Sequence, residues 1–388
     1  MFKVIVGQSE DPMAVEAVRD IAAQIRAELP DGMLPQAGIL FCSIDMDHAE
    51  LLLSLNAEFP AMDLIGGTTD GEFSSRLGFK NDSVTLMVYV SDSVEIKAGA
   101  GHNAARSSAA AGCEAALAAN GRLQKQRGNA QFAIIVSDPA NAGVADFDKG
   151  IYDVLGEAFP VFGGAAAAHS KGRKTFQFCN GQVFSEGIAM LLFAGPVAYS
   201  CGIKGGHDPF SPKEKVTQAE GNVLYRIGER RAFDYFQHYI GENDLFMNYC
   251  LAVYPDDSEH FFVRSAPFSD AAKGTVTLNG NIPKNASVRI GTADKETLAD
   301  SCHSSLLQAK QGFPGGDYAA ALLFSCAGRK FIMGSQINKE TAEVRDQLPH
   351  IPFAGFYCYG EFGPLRRGEG YLFHGTTFVT VLIGESQS

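Results

Sequence analysis

An eight-residue phrase occurs twice, once near each end of the chain. Gly66-Gly67-Thr68-Thr69-Asp70-Gly71-Glu72-Phe73 and Gly355-Phe356-Tyr357-Cys358-Tyr359-Gly360-Glu361-Phe362 share the spacing G-x-x-x-x-G-E-F. Each follows an apolar run containing proline, at Phe59-Pro60 and Leu348-Pro349. An apolar run that passes into glycine, small or aromatic residues and then Gly-Glu reads as a buried strand ending in a loop at a sheet end. Glycine there lets the backbone turn tightly or lets another group come close. A third, degraded copy follows Phe159-Pro160 and reads Gly163-Gly164-Ala165-Ala166-Ala167-Ala168-His169, with His169 in the place held by Glu72 and Glu361.

The flanking segments repeat as well. Residues 37–42, 131–136 and 320–326 are apolar runs of strand length, followed by helical patterns at 47–57, about 144–157 and 339–347. Short strands then lead into the three loops, and each unit closes with a further strand, at 83–90, 187–194 and 376–383. This predicts an α/β fold of two domains, 1–220 and 221–388, with mixed sheets built from repeated strand–helix–strand–loop–strand units, and an extra strand and helix at the N-terminus. Repeats on this scale predict that the three loops are built alike and lie near one another. Between the second and third units the pattern changes. A helix at 228–240 groups Phe233, Tyr235, Phe236, His238 and Tyr239, and residues 261–264, 274–278 and 287–290 look like short antiparallel strands. Thr292-Ala-Asp-Lys-Glu opens a helix through a capping box.

A formal net charge of −12 argues against nucleic acid or an anionic membrane as partner, since neither attracts an acidic protein. The first ten residues are too short and too soon acidic for a secretion signal, and the longest apolar stretch, 188–199, is broken by Gly195-Pro196. Eight scattered cysteines with no C-x-x-C read as reduced thiols of a cytoplasmic protein, which excludes a covalent c-type haem.

With these residues in view the chain resembles the FIST family, sensory modules made of a FIST N-domain and a FIST C-domain. The resemblance rests on Ile65-Gly-Gly-Thr-Thr-Asp-Gly-Glu72 in the first part, and on Phe324-Ser-Cys-Ala-Gly-Arg329 with Gly355-Phe-Tyr-Cys-Tyr-Gly-Glu-Phe-Gly-Pro364 in the second. It implies an intracellular signal-transduction protein that binds a small ligand rather than an enzyme. Its partners would be that ligand, a histidine kinase or other signalling protein, and a second copy of the chain. With no room for an output domain, the chain is similar to the haem-binding nitric-oxide sensors within the family. The alternatives are a sensor of amino acids or other small organic metabolites without haem, and an enzyme. No Walker loop, G-x-S-x-G, H-E-x-x-H or EF-hand loop is present, and Gly99-Ala-Gly-His-Asn-Ala lacks the acidic residue a dinucleotide site needs.

Arg329 follows a strand, where its guanidinium can grip a carboxylate bidentately; Glu361 is its candidate partner or an amine ligand, and an internal ion pair is the plainer reading. Tyr357 and Tyr359 alternate around Cys358 and share a face that either lines a pocket or packs. Glu72 repeats Glu361, and Cys326 reads as a core thiol with ligand contact as the alternative. A non-covalent haem requires an axial imidazole in an apolar cavity. His238, among aromatic residues on a helix near the domain junction, is the first candidate for that iron ligand and His169 the second, with ordinary surface or loop histidines as the alternatives.

Overall fold

The computed structural model describes residues 1–124, 128–142, 146–169, 174–241, 249–315, 317–366 and 368–386. The start of the second unit's helix, expected at about 144, lies outside the described residues up to 145.

The fold is α/β with mixed sheets made by three units of one plan. Each begins with an edge strand (Phe2–Ser9, Glu95–Gly101, Val197–Lys204) and a helix (Ala14–Arg26, Ser108–Asn120, Lys295–Gly312). A first central strand follows (Ala37–Ser43, Ala130–Ser137, Tyr318–Cys326), then a crossover helix (His48–Glu58, Phe147–Leu155, Asn338–Gln347) and a second central strand (Asp63–Thr69, Val161–Ala165, Phe353–Cys358). A closing strand (Val84–Ser91, Ile188–Ala194, Phe378–Glu385) completes the unit. Each sheet runs edge, closing, first central, second central, and only the two central strands are parallel. That parallel pair is what a helical crossover between consecutive strands produces.

The hairpin between the second central and closing strands leaves its own sheet. Glu72–Ser74 pairs with Phe353–Cys358 of the third unit, Gln177–Cys179 with Asp63–Thr69 of the first, and Glu361–Pro364 with Val161–Ala165 of the second. The three sheets are thereby tied in a closed cycle. Their inner faces bury one shared core, which includes Phe41, Phe132, Phe162, Phe324 and Phe356, with Phe41 and Phe356 ring centroids 4.5 Å apart. Their outer faces each carry the unit's own helices over a separate core. Strands apolar on both faces read as continuous apolar runs, which is why residues 37–42 and 188–194 show no alternation.

The third unit holds a long insertion between its edge strand and its helix. Among the described residues it forms a nine-stranded sheet with its own core, on which the helix Ala232–Ile240 packs through Tyr235 and Phe236. That helix belongs to the inserted sheet. The helix Lys295–Gly312 is capped by Asp294 and Thr297, a capping box set two residues later than expected.

One glycine recurs in each edge strand where the unit's helix crosses it: Gly7, Gly99 and Gly202. A Cβ on Gly202 would lie 1.9 Å from the Ser305 carbonyl oxygen, and one on Gly99 2.3 Å from that of Ala115. The Gly99 phrase that mimics a dinucleotide fingerprint is thus helix–strand packing. Gly202→Ala is expected to cost about 1 to 3 kcal/mol of unfolding free energy in a urea titration, because the helix backbone has to move. Gly7→Ala, whose Cβ would meet the Ile21 side chain at 2.9 Å and its carbonyl oxygen at 3.1 Å, is expected to cost less, since its overlap with the helix backbone is smaller.

Candidate ligand site

The three repeated loops meet where the second central strands end. Asp70 N–H donates to Tyr357 O at 2.9 Å, Tyr359 N–H to Ala165 O at 3.1 Å, and Ala167 N–H to Thr68 O at 2.8 Å. These residues occupy the same position in each loop, so the bonds form a ring that passes from the first unit to the third, to the second and back. The loops are equivalent and adjacent, as their spacing predicted.

Pairing registers identify what stands at the glutamate position. Glu72 lies opposite Phe356, Glu361 opposite Gly164, and Gln177 opposite Gly67, each partner being the residue after the loop's first glycine. Gln177, and not His169, is therefore the second unit's counterpart, because residues inserted after Ala168 displace the hairpin along the chain. Glu72 is fully buried and accepts from Ser83 N–H at 3.1 Å and Ser83 Oγ at 2.6 Å, with Thr69 Oγ1 as a further donor. Glu361 repeats this with Thr377 N–H at 3.0 Å, Thr377 Oγ1 at 2.6 Å and the Cys358 thiol at 3.2 Å. Burial outweighs these donors and pushes both carboxyls up to about 7. At Gln177 the donors have become Gly187 and Ala166, and neither side-chain amide atom has a hydrogen-bond partner among the described residues.

Arg329 is wholly buried and bound to Glu340, through Nε at 2.9 Å and Nη2 at 2.6 Å, and donates as well to Ser301 Oγ, Leu298 O and Gly205 O. The structure thus corrects Glu361 as its partner: the plainer ion-pair reading holds, with a carboxylate from the crossover helix. Tyr357 turns outward to donate to the same Glu340, while Cys358 faces the inner core. Tyr359 lies past the strand end, half-buried. Cys326 is buried beside Glu361, and burial raises its thiol well above the ordinary range. The central strands Tyr318–Cys326 and Phe353–Cys358 are parallel neighbours.

His169 joins a polar cluster drawn from all three units. Its Nδ1 lies 3.0 Å from Asp70 Oδ1 and its Nε2 3.0 Å from Asp82 Oδ1, and Lys330 Nζ donates to Asp70 Oδ1 at 3.1 Å. The hydrogen bond to Asp70 raises the histidine above its usual range against the pull of burial. With both nitrogens held toward carboxylates, it offers no bare lone pair to an iron. His238 is exposed, on the side of its helix away from the buried Ala232, Tyr235, Phe236 and Ile240, with its ring against Tyr239 at 4.8 Å. An iron at that nitrogen would sit on the solvent side of the helix, outside the aromatic core. Neither histidine fits an axial haem ligand.

Open space lies at the other end of the central strands, where each unit's edge strand and hairpin face the neighbouring unit. Between the second and third units is a cleft of about 380 Å³. Its walls are Pro160, Val161 and Phe162 of one unit and Tyr199, Ile203 and Leu365 of the other. The Tyr199 ring stands 4.8 Å from Phe132 and 5.6 Å from Phe162. Sequence reading missed this cleft because it arises from strands and hairpins of separate units.

Residues 36–230 match the FIST N domain and residues 232–364 the FIST C domain. An uncharacterized protein of Mycobacterium tuberculosis strain H37Rv is 22% identical over 408 residues, covering 97% of this chain and 98% of that one. An uncharacterized protein of Mycobacterium bovis is 23% identical over 229 residues, covering 56% of this chain and 58% of its own. Among solved structures, a cyanuric acid hydrolase from A. caulinodans aligns over the whole of both chains at 12% identity with a TM-score of 0.35, too weak a likeness to carry an argument.

The buried carboxyls give a pH dependence with a definite sign. Their folded-state values, about 7, lie above the ordinary 4.5, so the folded protein holds protons that the unfolded chain releases. Their stabilising contribution is complete below about 4.5 and is lost as the pH rises through 7. Urea titrations at pH 5 and pH 7.5 are expected to show that loss in the wild type, at roughly 2 to 3 kcal/mol per carboxyl, and a smaller one in the Glu72→Gln, Glu361→Gln double variant. By contrast, Glu340→Gln leaves the buried Arg329 without its counter-charge and is expected to cost about 3 to 5 kcal/mol near neutral pH.

Proposed function

This chain belongs to the FIST family of sensory and signal-transduction modules that bind small ligands, and from that premise we propose that it senses a small organic metabolite held between its second and third units. The observation that carries this reading is the composition of the 380 Å³ cleft: one wall comes from the second unit and the other from the third unit's edge strand and exchanged hairpin. Its volume and its aromatic and aliphatic lining, with Gln131, Gln308 and Glu369 as polar groups, suit a small organic molecule. A ligand there touches both units, so it favours whichever relative placement gives it the better contacts. Differential contact of this kind is what shifts an equilibrium between two states.

The signal passes to a separate partner protein, in the cytoplasm, with a histidine kinase as the candidate from the family resemblance. No helix among the described residues is long and apolar enough to cross a membrane. The loop residues that the sequence offered for chemistry do not line the cleft, and they favour binding over catalysis there, since Cys326 is held as an unreactive thiol and Arg329 is consumed by Glu340. The finer reading, haem as receptor for nitric oxide, draws its support from the family resemblance alone, and the settings of His169 and His238 speak against it. A Soret band in the purified protein that responds to nitric oxide would restore haem and displace the metabolite reading.

The metabolite reading is tested by screening amino acids and other small organic metabolites for thermal stabilisation and then by calorimetry. Tyr199→Ala removes an aromatic wall and is expected to weaken the selected ligand about tenfold or more, in line with the burial energy of one aromatic ring. Undiminished affinity in that variant would move the site elsewhere.

A further inference from the structure

The cleft between the second and third units has a counterpart between the third and the first. Registers make the match residue by residue. Gly7 faces Leu86 as Gly202 faces Thr380, and these lie beside the central strands at Leu40 and Leu323. Counting from these anchors, Lys3 stands where the other cleft has Ala198, and Val4 where it has Tyr199. Arg76, four residues after Glu72, stands where Leu365 follows Glu361. His350 stands where Ala158 precedes the loop, and both residues have a positive φ, 69° and 55°, so the turn itself is shared. All eight residues line their respective clefts.

The two clefts therefore share a frame and differ in chemistry. At the shared positions that are aliphatic in one, the other carries Lys3, Arg76 and His350, and Arg345 from the crossover helix joins them. The carboxylate among the lining residues is Glu28, which pairs with Arg76 and whose carbonyl accepts from Lys3. Arg345 is exposed and has no carboxylate partner among the described residues; its guanidinium lies beside the hairpin turn at Gly78. The floor is apolar, formed by Val4, Val6, Leu348 and Phe353, and the cleft measures about 580 Å³. A cationic rim of this kind on a chain of net charge −12 runs against the field of the rest of the surface.

We propose that the cleft between the third and first units is a second ligand site, which takes a small molecule with an apolar body and an anionic head, carboxylate or phosphate. The body lies on Val4, Leu348 and Phe353. The head meets Arg345, the unpaired guanidinium, in a cleft that Lys3, Arg76 and His350 also line. Arginine suits either head because its paired N–H groups match two oxygens at once. This site is independent of the cleft between the second and third units and would stand if the metabolite there were never found.

The test uses the full chain and three probes of one shape: 1-naphthoate, 1-naphthyl phosphate and neutral 1-naphthamide, with inorganic phosphate as the head alone. Calorimetry is expected to show at least one of the two naphthyl anions binding, the amide and free phosphate much more weakly, and half-molar salt reducing the anion affinity. The better of the two anions names the head. Arg345→Ala is expected to lower that affinity about tenfold or more, the worth of a charge-assisted contact. Its melting temperature should stay near that of the wild type, since Arg345 has no structural partner to lose. Tyr199→Ala, in the other cleft, should leave anion binding unaltered. Binding of the amide as tight as that of the anions, free phosphate binding as tightly as naphthyl phosphate, no binding by either anion, or an Arg345→Ala variant indistinguishable from the wild type would each overturn the proposal.

Discussion

Three backbone hydrogen bonds, from Asp70, Tyr359 and Ala167, hold the structure to its cyclic plan. Each joins a loop to the strand end of the next unit, and each fixes the direction in which the following hairpin leaves its own sheet. Such bonds require main chain to approach main chain, so the loops carry glycine and alanine where a larger residue would intrude. At Gly67 a Cβ would lie 2.9 Å from the Phe176 carbonyl oxygen of the second unit, and at Gly164 3.0 Å from Cys358 Cβ of the third. The buried glutamates add to this constraint. Glu72 and Glu361 bind the hydroxyl and N–H at the start of their own closing strands, so both ends of the exchanged hairpin are held at one point.

On this frame, equivalent positions have diverged in chemistry while keeping their place. The glutamate position has become glutamine in the second unit, in step with the loss of the donors that would have served a carboxylate there. The two clefts show the same divergence on the outside. A turn shared by His350 and Ala158, and a strand position shared by Lys3 and Ala198, present a basic side chain in one cleft and a methyl group in the other. Fold and site are separable in this chain: the repeat dictates where a cleft lies, and individual side chains dictate what it accepts.

Local pattern carried much of the architecture. The units, their order and the equivalence of the loops were legible because strand, crossover helix and glycine turn are each decided within a dozen or so residues. Partnerships across units were not. Arg329 finds Glu340 on a crossover helix whose rotation no spacing rule specifies, so Glu361 looked the nearer match. His169 was misplaced because counting along the chain cannot register an insertion that lengthens a loop without moving its ends. The aromatic group at 233–239 looked like one patch, but consecutive residues on a helix point around its whole circumference, and His238 falls on the outside. The clefts were invisible for a related reason, since each is the gap between elements far apart in sequence.

The exchanged hairpins also bear on how the chain is made. The segment Glu72–Ser74 is synthesised early, yet the strand it pairs with, Phe353–Cys358, is synthesised about 280 residues later, a wait of roughly 15 to 60 s at ~5 to 20 residues per second. Throughout that interval the first hairpin has no sheet to join. Closure of the cycle is thus a late, long-range event, of the kind that makes folding slow and leaves unpaired strands available to other chains. A growing polypeptide of this plan has reason to need a chaperone until its last unit clears the ribosome.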